Sequence, residues 1–269
     1  MGLPRVDLVG RLMRDGRISR ADEEFDHGGA SITDAWEENA EGWIRWARTP
    51  GVDDYFEFYN LPSFLELLPA SVGVTVDLGC GEGRVARVLR ARGHAVIGVE
   101  PSATLVRAAR QADPAFPVVQ GRGDAVPVRA GVAHLVVCFM VLQDVDDLSA
   151  VCCEIARLLN DDGVACLAIV HPIASSGFPD PDGEFQYVGR YLDVMRNVLV
   201  ADRNGVEFTF HSAHRPIEHY SRAFEAAGLV IRAVREPAMS EELIAAAPRL
   251  ARHRMLPNFL YFTVARAAA

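Results

Sequence analysis

The run Val74-Thr75-Val76-Asp77-Leu78-Gly79-Cys80-Gly81-Glu82-Gly83 opens as a β-branched strand, ends that strand near an acid, and spaces three glycines before a helical pattern starts at Arg84. Glycines at that spacing let the backbone turn sharply and let a ligand approach main-chain atoms with no Cβ in the way. Glu100 ends the next strand, 21 residues after Gly79. An acid there can accept hydrogen bonds from both hydroxyls of a ribose. Asp124 follows a third strand, where a carboxylate can accept from an adenine amino group. The three together point to a bound nucleoside.

Spacing narrows the choice. A dinucleotide fingerprint reads G-x-G-x-x-G and faces a pyrophosphate. Here the third glycine arrives one residue early, at Gly83, and Asp77 stands two residues before Gly79. A carboxylate at that point opposes a phosphate and suits a cation. A nicotinamide oxidoreductase is therefore the disfavoured reading. The stretch Asp77-Leu78-Gly79-Cys80-Gly81-Glu82-Gly83 resembles the first motif, acid-x-G-x-G-x-G, of class I S-adenosylmethionine (SAM)-dependent methyltransferases.

The resemblance spans residues 71–170 by motif and 215–269 by layout. It implies SAM as cofactor, with S-adenosylhomocysteine (SAH) as product. It implies that Asp77, Gly79, Cys80, Gly81 and Gly83 hold the methionine portion, and that Glu100, Pro101 and Ser102 lie at the ribose. Asp124 and the backbone N–H of Ala125 then face the adenine, and the segment from Phe139 to Gln143 passes under the methionine. Many relatives carry a histidine where this chain has Gln143 or Asp144, which puts a catalytic role there in doubt.

Alternating Val- and Ile-rich strands with helical crossovers imply a parallel sheet covered on both faces. The expected fold is α/β, a Rossmann-like, doubly wound, mostly parallel seven-stranded sheet whose last strand runs antiparallel. Residues 1–70 read as a helical N-terminal lid and 71–171 as the SAM-binding core. An insertion after the fifth strand occupies 172–215, and 216–269 completes the sheet. Within the insertion, Asn204-Gly205 between two strand-like runs is a hairpin signal, and Pro172 to Gly183 reads as an irregular loop. Ser240–Met255 reads as a helix despite Pro248. All three tryptophans, Trp36, Trp43 and Trp46, fall in one lid stretch, where the 36/43 spacing puts two on one helix face. They either staple the lid to the core or roof an apolar pocket.

Composition trims the remaining options. A net charge of -9 disfavours a nucleic-acid partner. All 27 cationic residues are arginine, so lysine Schiff-base chemistry and a P-loop lysine are excluded. Five cysteines without a C-x-x-C pair suit a reducing compartment. No apolar run approaches the ~20 residues of a membrane span. The default is a cytoplasmic protein with no membrane partner.

Methyl transfer from a sulfonium needs alignment first and a base only where the acceptor holds its proton tightly. Candidate groups are His171 at the end of the fifth strand, His214 at the end of the hairpin, and Tyr55 and Tyr59 in the aromatic lid cluster. Each has a rival reading as packing or anchoring. His211, His214 and His219 follow no metal-ligand pattern, so no metal is expected. The aromatic lid suggests a planar or apolar small-molecule acceptor, such as a phenol or indole of bacterial secondary metabolism, methylated on O, N or C. The alternatives are a protein that uses SAM without methyl transfer and a non-catalytic SAM-binding subunit. A homodimer through the N-terminal helices is the expected assembly.

Overall fold

The structure, a computed structural model, describes residues 31–71, 73–179, 185–187 and 191–267. The lid and irregular-loop expectations for 1–30 and 180–184 lie outside them. In chain order, α1 (Ile32–Glu38), α2 (Ala40–Arg48), a π-helix (Tyr55–Asn60) and α3 (Leu61–Leu65) precede the sheet. The core follows as β1 (Val74–Leu78), α4 (Arg84–Ala91), β2 (Ala95–Glu100), α5 (Ala103–Ala112), β3 (Val118–Gln120), β4 (Ala133–Phe139), α6 (Leu148–Leu158) and β5 (Leu159–Val170). The insertion holds α7 (Pro172–Ser176), the short pair β6 (Gly177–Pro179) and β7 (Phe185–Tyr187), and the hairpin β8 (Met195–Arg203) and β9 (Val206–His214). The chain closes with α8 (Ile217–Ala226), β10 (Leu229–Arg235), α9 (Glu241–Ala246), a 3₁₀ turn (Pro248–His253) and β11 (Phe259–Arg266).

Seven strands form one sheet in the order β10-β11-β5-β4-β1-β2-β3. β1 pairs parallel with β2 and β4, and β11 runs antiparallel to both β5 and β10. The expected fold class is thus observed. Because the order reverses between β1 and β4, their carboxyl ends splay apart, and ligands of such sheets bind at that opening.

Alternate side chains of β4 feed two cores. Val136 and Cys138 join Leu148, Ile155, Tyr220 and Phe224 on the α6/α8 face, while Leu135 and Val137 join Phe64, Val85, Leu89 and Val106 on the α4/α5 face. A third, smaller cluster joins the lid to the hairpin: Trp46, Val52, Ala201 and Phe208 are buried, with Trp36, Trp43 and Phe210 packed around them. Among the described residues, no helix is long and apolar enough to cross a membrane.

Four local expectations change. The lid helix breaks at Asn39, whose side-chain amide donates to the Ala35 carbonyl and ends α1. The fifth strand, expected from the sequence over Val164–Val170, begins earlier, at Leu159, with its register against β4 shifting beside Gly163. Pro172–Ser176 is a helical turn instead of irregular loop. The helix from Ser240 stops at Ala246, because Pro248 has no N–H to continue it and the chain tightens to a 3₁₀ turn.

Candidate cofactor site

The glycine-rich turn sits at the opening between β1 and β4. Gly79 has φ +72°, and a Cβ placed on it would lie 2.5 Å from Cγ2 of Val141, which crosses from the loop after β4. That residue type is therefore forced twice, by backbone hand and by close approach. Over Gly81 lies the lid instead: its missing Cβ would meet Trp43 Nε1 at 3.5 Å. The opposite wall is also unusual. Met140 adopts φ +61°, a conformation that non-glycine residues take only where surrounding structure holds them.

Two acids meet beside this turn. Asp77 and Glu100 are buried, on adjacent parallel strands. Glu100 Oε2 accepts from the Gly81 N–H at 2.9 Å and Oε1 from the Ser102 N–H at 3.0 Å, leaving each oxygen a second lone pair. Asp77 Oδ2 is buried with no hydrogen-bond partner among the described residues. Burial, then the neighbouring Glu100 charge, pushes the Asp77 carboxyl up to about 7. Burial raises Glu100 as well, against the pull of its two N–H donors. An orphaned carboxylate oxygen beside a cradle of glycines fits a ligand that is cationic and close to the backbone.

The lid is tied to this cradle at several points. Glu82, wholly buried, accepts from Arg48 of α2 at 2.9 Å and from Arg87 of α4 at 2.7 Å. Glu37 of α1 accepts from the hydroxyls of Ser102 and Thr104. The Ile32 N–H donates to Asp146 beyond β4, and Arg84 pairs with Asp53 at 2.7 Å while its guanidinium covers the rings of Phe56 and Trp43. A cleft of about 220 Å³ remains between α1 and the end of β2, lined by Thr33, Glu37, Pro101, Ser102 and Gln120 among others.

Residues 76–167 match the family model described as a methyltransferase domain. Those residues are a methyltransferase domain, and the chain shares the fold of SAM-dependent methyltransferases. The orphaned acid and the glycine turn fit SAM as the cofactor of this domain. Among solved structures, an S-adenosylmethionine-dependent methyltransferase from Mesorhizobium loti is similar with TM-score 0.64 and 24% identity, over 76% of this chain and 96% of that one. A Listeria monocytogenes protein assigned to the same class of methyltransferases gives TM-score 0.62 and 17% identity over 78% and 97%. The 4+2 cyclase SpnF gives 0.57 and 14% over 90% and 98%. No curated protein sequence matches the chain.

Within this domain, the cofactor-side candidates divide. Asp77, Gly79, Gly81, Gly83, Glu100, Pro101 and Ser102 gather around the opening, and buried Cys80 packs beneath it, where a Cβ on Gly98 would meet its sulfur at 2.7 Å. Asp124 is held by Arg122 through two hydrogen bonds of 3.0 and 2.8 Å, which depress its acidity range further. The Ala125 N–H, expected to face an adenine, instead donates to the Arg122 carbonyl and closes a turn. Phe139 turns its ring into the core against Phe56 and Phe64, so Val141 is the side chain that reaches the glycine loop.

The catalytic candidates are mostly committed elsewhere. His171 does stand at the end of β5, but Nδ1 accepts from the Ile173 N–H at 3.0 Å and caps α7, while Nε2 lies 2.9 Å from Glu236. Burial lowers its pKa, and Glu236 only partly offsets this. His214 is fully buried, with Nδ1 2.7 Å from Ser175 Oγ and Nε2 2.8 Å from the Tyr191 carbonyl. The Tyr59 hydroxyl donates to the Pro237 carbonyl at 2.6 Å, and burial pushes it up to about 12. Only Tyr55 is half-buried, its ring edge-on to Phe259 at the strand end beside Val170. Among the described residues, no group of three or more His, Cys, Asp or Glu side chains is arranged to hold a metal ion.

Sequence reasoning missed Glu37, Arg48, Glu82 and Met140. Glu37 and the Arg48–Glu82 pair carry no local signal, since their partners lie 65 and 34 positions away; of Glu82's partners only Arg87 is near in sequence. A left-handed methionine has no sequence signature at all.

Proposed function

We propose that this chain is a SAM-dependent methyltransferase that acts on a small, planar or apolar metabolite bound beneath the lid helices and the β8–β9 hairpin. Bound SAM supplies an activated methyl group on sulfur. The chain's own part is to hold the nucleoside through Glu100, to present Asp77 toward the positive end, and to exclude water over the reacting edge.

The observation that supports an aromatic acceptor is the interlocked roof. Phe208 and Phe210 of β9 pack among Trp36, Trp43 and Trp46 of the lid at ring separations of 5.3 to 6.3 Å, and the Trp36 indole N–H donates to the His211 carbonyl. Two segments far apart in sequence thus form one aromatic cluster, which Trp43 brings against the glycine turn at Gly81. With both buried histidines engaged, catalysis rests on alignment of the nucleophile, worth several kcal/mol in well-oriented reactions. Tyr55 at the strand edge is the side chain assigned to hydrogen-bond the acceptor.

A second reading follows from the similarity to SpnF and from the same engaged histidines: SAM serves as a bound cation while a different reaction proceeds. Incubation with methyl-labelled SAM and a panel of phenols, indoles and amines separates the two. Labelled product with stoichiometric SAH supports methyl transfer. Conversion of an acceptor without SAH release supports the second.

A further inference from the structure

The structure assigns a proton exchange to cofactor binding: without ligand, Asp77 and Glu100 share one proton, and the cofactor's α-ammonium expels it to solvent. This rests on the reading that the glycine turn binds the methionine end of SAM.

The geometry leaves little choice. Asp77 is 2% and Glu100 5% exposed, on neighbouring strands. The groups around them supply no counter-charge. Glu100 faces Asp77 from β2, Cys80 from the glycine turn and Cys138 from β4, Glu82 bears on Cys80, and Glu37 bears on Glu100 from α1. The nearby cations Arg48 and Arg87 are both engaged by Glu82, and no ion pair to Asp77 or Glu100 forms among the described residues. Two adjacent buried carboxylates without a cation cannot both stay ionised cheaply, so one takes a proton. Glu100 has two N–H donors, which favour its anion; Asp77 Oδ2 has no partner. The proton therefore sits on Asp77, although the two titrate as a pair.

When an ammonium arrives, the carboxylic acid gives up its O–H proton to water and the resulting carboxylate pairs with the ligand's N–H groups. No electrons move. The charge of the buried site changes from one negative to two negatives plus the ligand's positives. Below the pair's titration, binding must displace the proton, and affinity rises about tenfold per pH unit until it levels near neutrality.

Titration calorimetry on the full chain, in two buffers of different ionisation enthalpy, counts the protons. SAH is the probe, because its sulfur is neutral and its ammonium is intact at pH 6. The neutral nucleoside 5′-methylthioadenosine, which lacks the amino-acid group, is the control. About one proton should leave per SAH at pH 6, about none at pH 8, and none with methylthioadenosine at either pH. Asp77→Asn should bind SAH weakly and release none at pH 6. Should that variant fail to fold, an infrared difference spectrum of the unaltered protein replaces it: SAH must remove a protonated-carboxyl band. SAH binding at pH 6 without proton release, equal release with methylthioadenosine, or unchanged release from Asp77→Asn overturns the exchange while leaving the cofactor assignment intact. No heat with SAH at any pH overturns both.

Discussion

A buried carboxylate oxygen with no partner among the described residues is costly, and Asp77 Oδ2 shows what the cost is for. Its folded-state carboxyl titrates near 7, above the ordinary value of 3.8. The cofactor-free fold therefore holds a proton that the unfolded chain has already lost, and stability falls as pH rises from about 4 to about 7. Asp77→Asn removes that dependence. Its melting temperature at pH 8 should exceed that of the parent, while SAM affinity drops about 10- to 100-fold, the scale of a lost charged hydrogen bond. Scanning calorimetry and a binding titration check both signs; a variant less stable than the parent at pH 8 contradicts the account. His171 makes the opposite kind of statement. Removing a general base costs about 10²- to 10⁴-fold in rate. With Nδ1 capping α7 and Nε2 beside Glu236, His171→Gln should lose less than tenfold in kcat and keep the parent's pH–rate profile. Both acids and the glycines were legible because their chemistry is tied to short spacing. The partners of the histidines were not legible, because position at a strand end says nothing about which neighbours their nitrogens find.

At the level of elements, the lid and the hairpin behave as one piece. Phe208 lies within 6.3 Å, ring to ring, of all three lid tryptophans, and its ring also sits 3.3 Å from the position a Cβ on Gly42 would take. Burying an aromatic ring of this kind stabilises a core by about 3–5 kcal/mol relative to alanine. The cluster is a satellite of the two main cores, so Phe208→Ala should loosen it locally and leave the sheet folded. Hydrogen exchange should accelerate in residues 32–48 and 195–214 and stay unchanged in β1, β4 and β5. Uniform acceleration across the sheet is the opposing outcome. The π-helix is the element that patterning concealed. Leu61 N–H reaches back five residues to the Phe56 carbonyl, and Pro62 follows, whose ring would collide with the Phe58 carbonyl in a regular helix. The widened turn brings Tyr55, Phe56 and Tyr59 onto Phe259 and Phe139 together.

Across the whole molecule, the lid contacts the cofactor cradle at Glu82, Ser102 and Asp146, and the hairpin contacts the lid. Replacing residues 195–214 by a short linker removes the hairpin without touching any cradle residue. SAM binding should then weaken only a few-fold, while turnover of the labelled acceptor falls at least 100-fold, because the near-attack alignment depends on the enclosed roof. Equal losses in binding and turnover would assign the hairpin to the cofactor instead. Deleting the lid is a harsher change, since Arg48 and Glu37 hold the cradle itself.

The order of strands and helices, the glycine turn and the two acids followed from sequence alone, because periodicity of two or 3.6 and fixed short spacings are properties of contiguous chain. The same holds for the Asn204-Gly205 hairpin. Which polar atoms are already engaged did not follow. His171 and His214 find their partners across 65 and 39 positions, Glu37 finds Ser102 across 65, and Asp77 is left with an orphaned oxygen because β1 is buried between β2 and β4. Contacts between distant residues are decided by how surfaces pack, and burial, which sets both hydrogen-bond demand and acidity, exists only once they have packed.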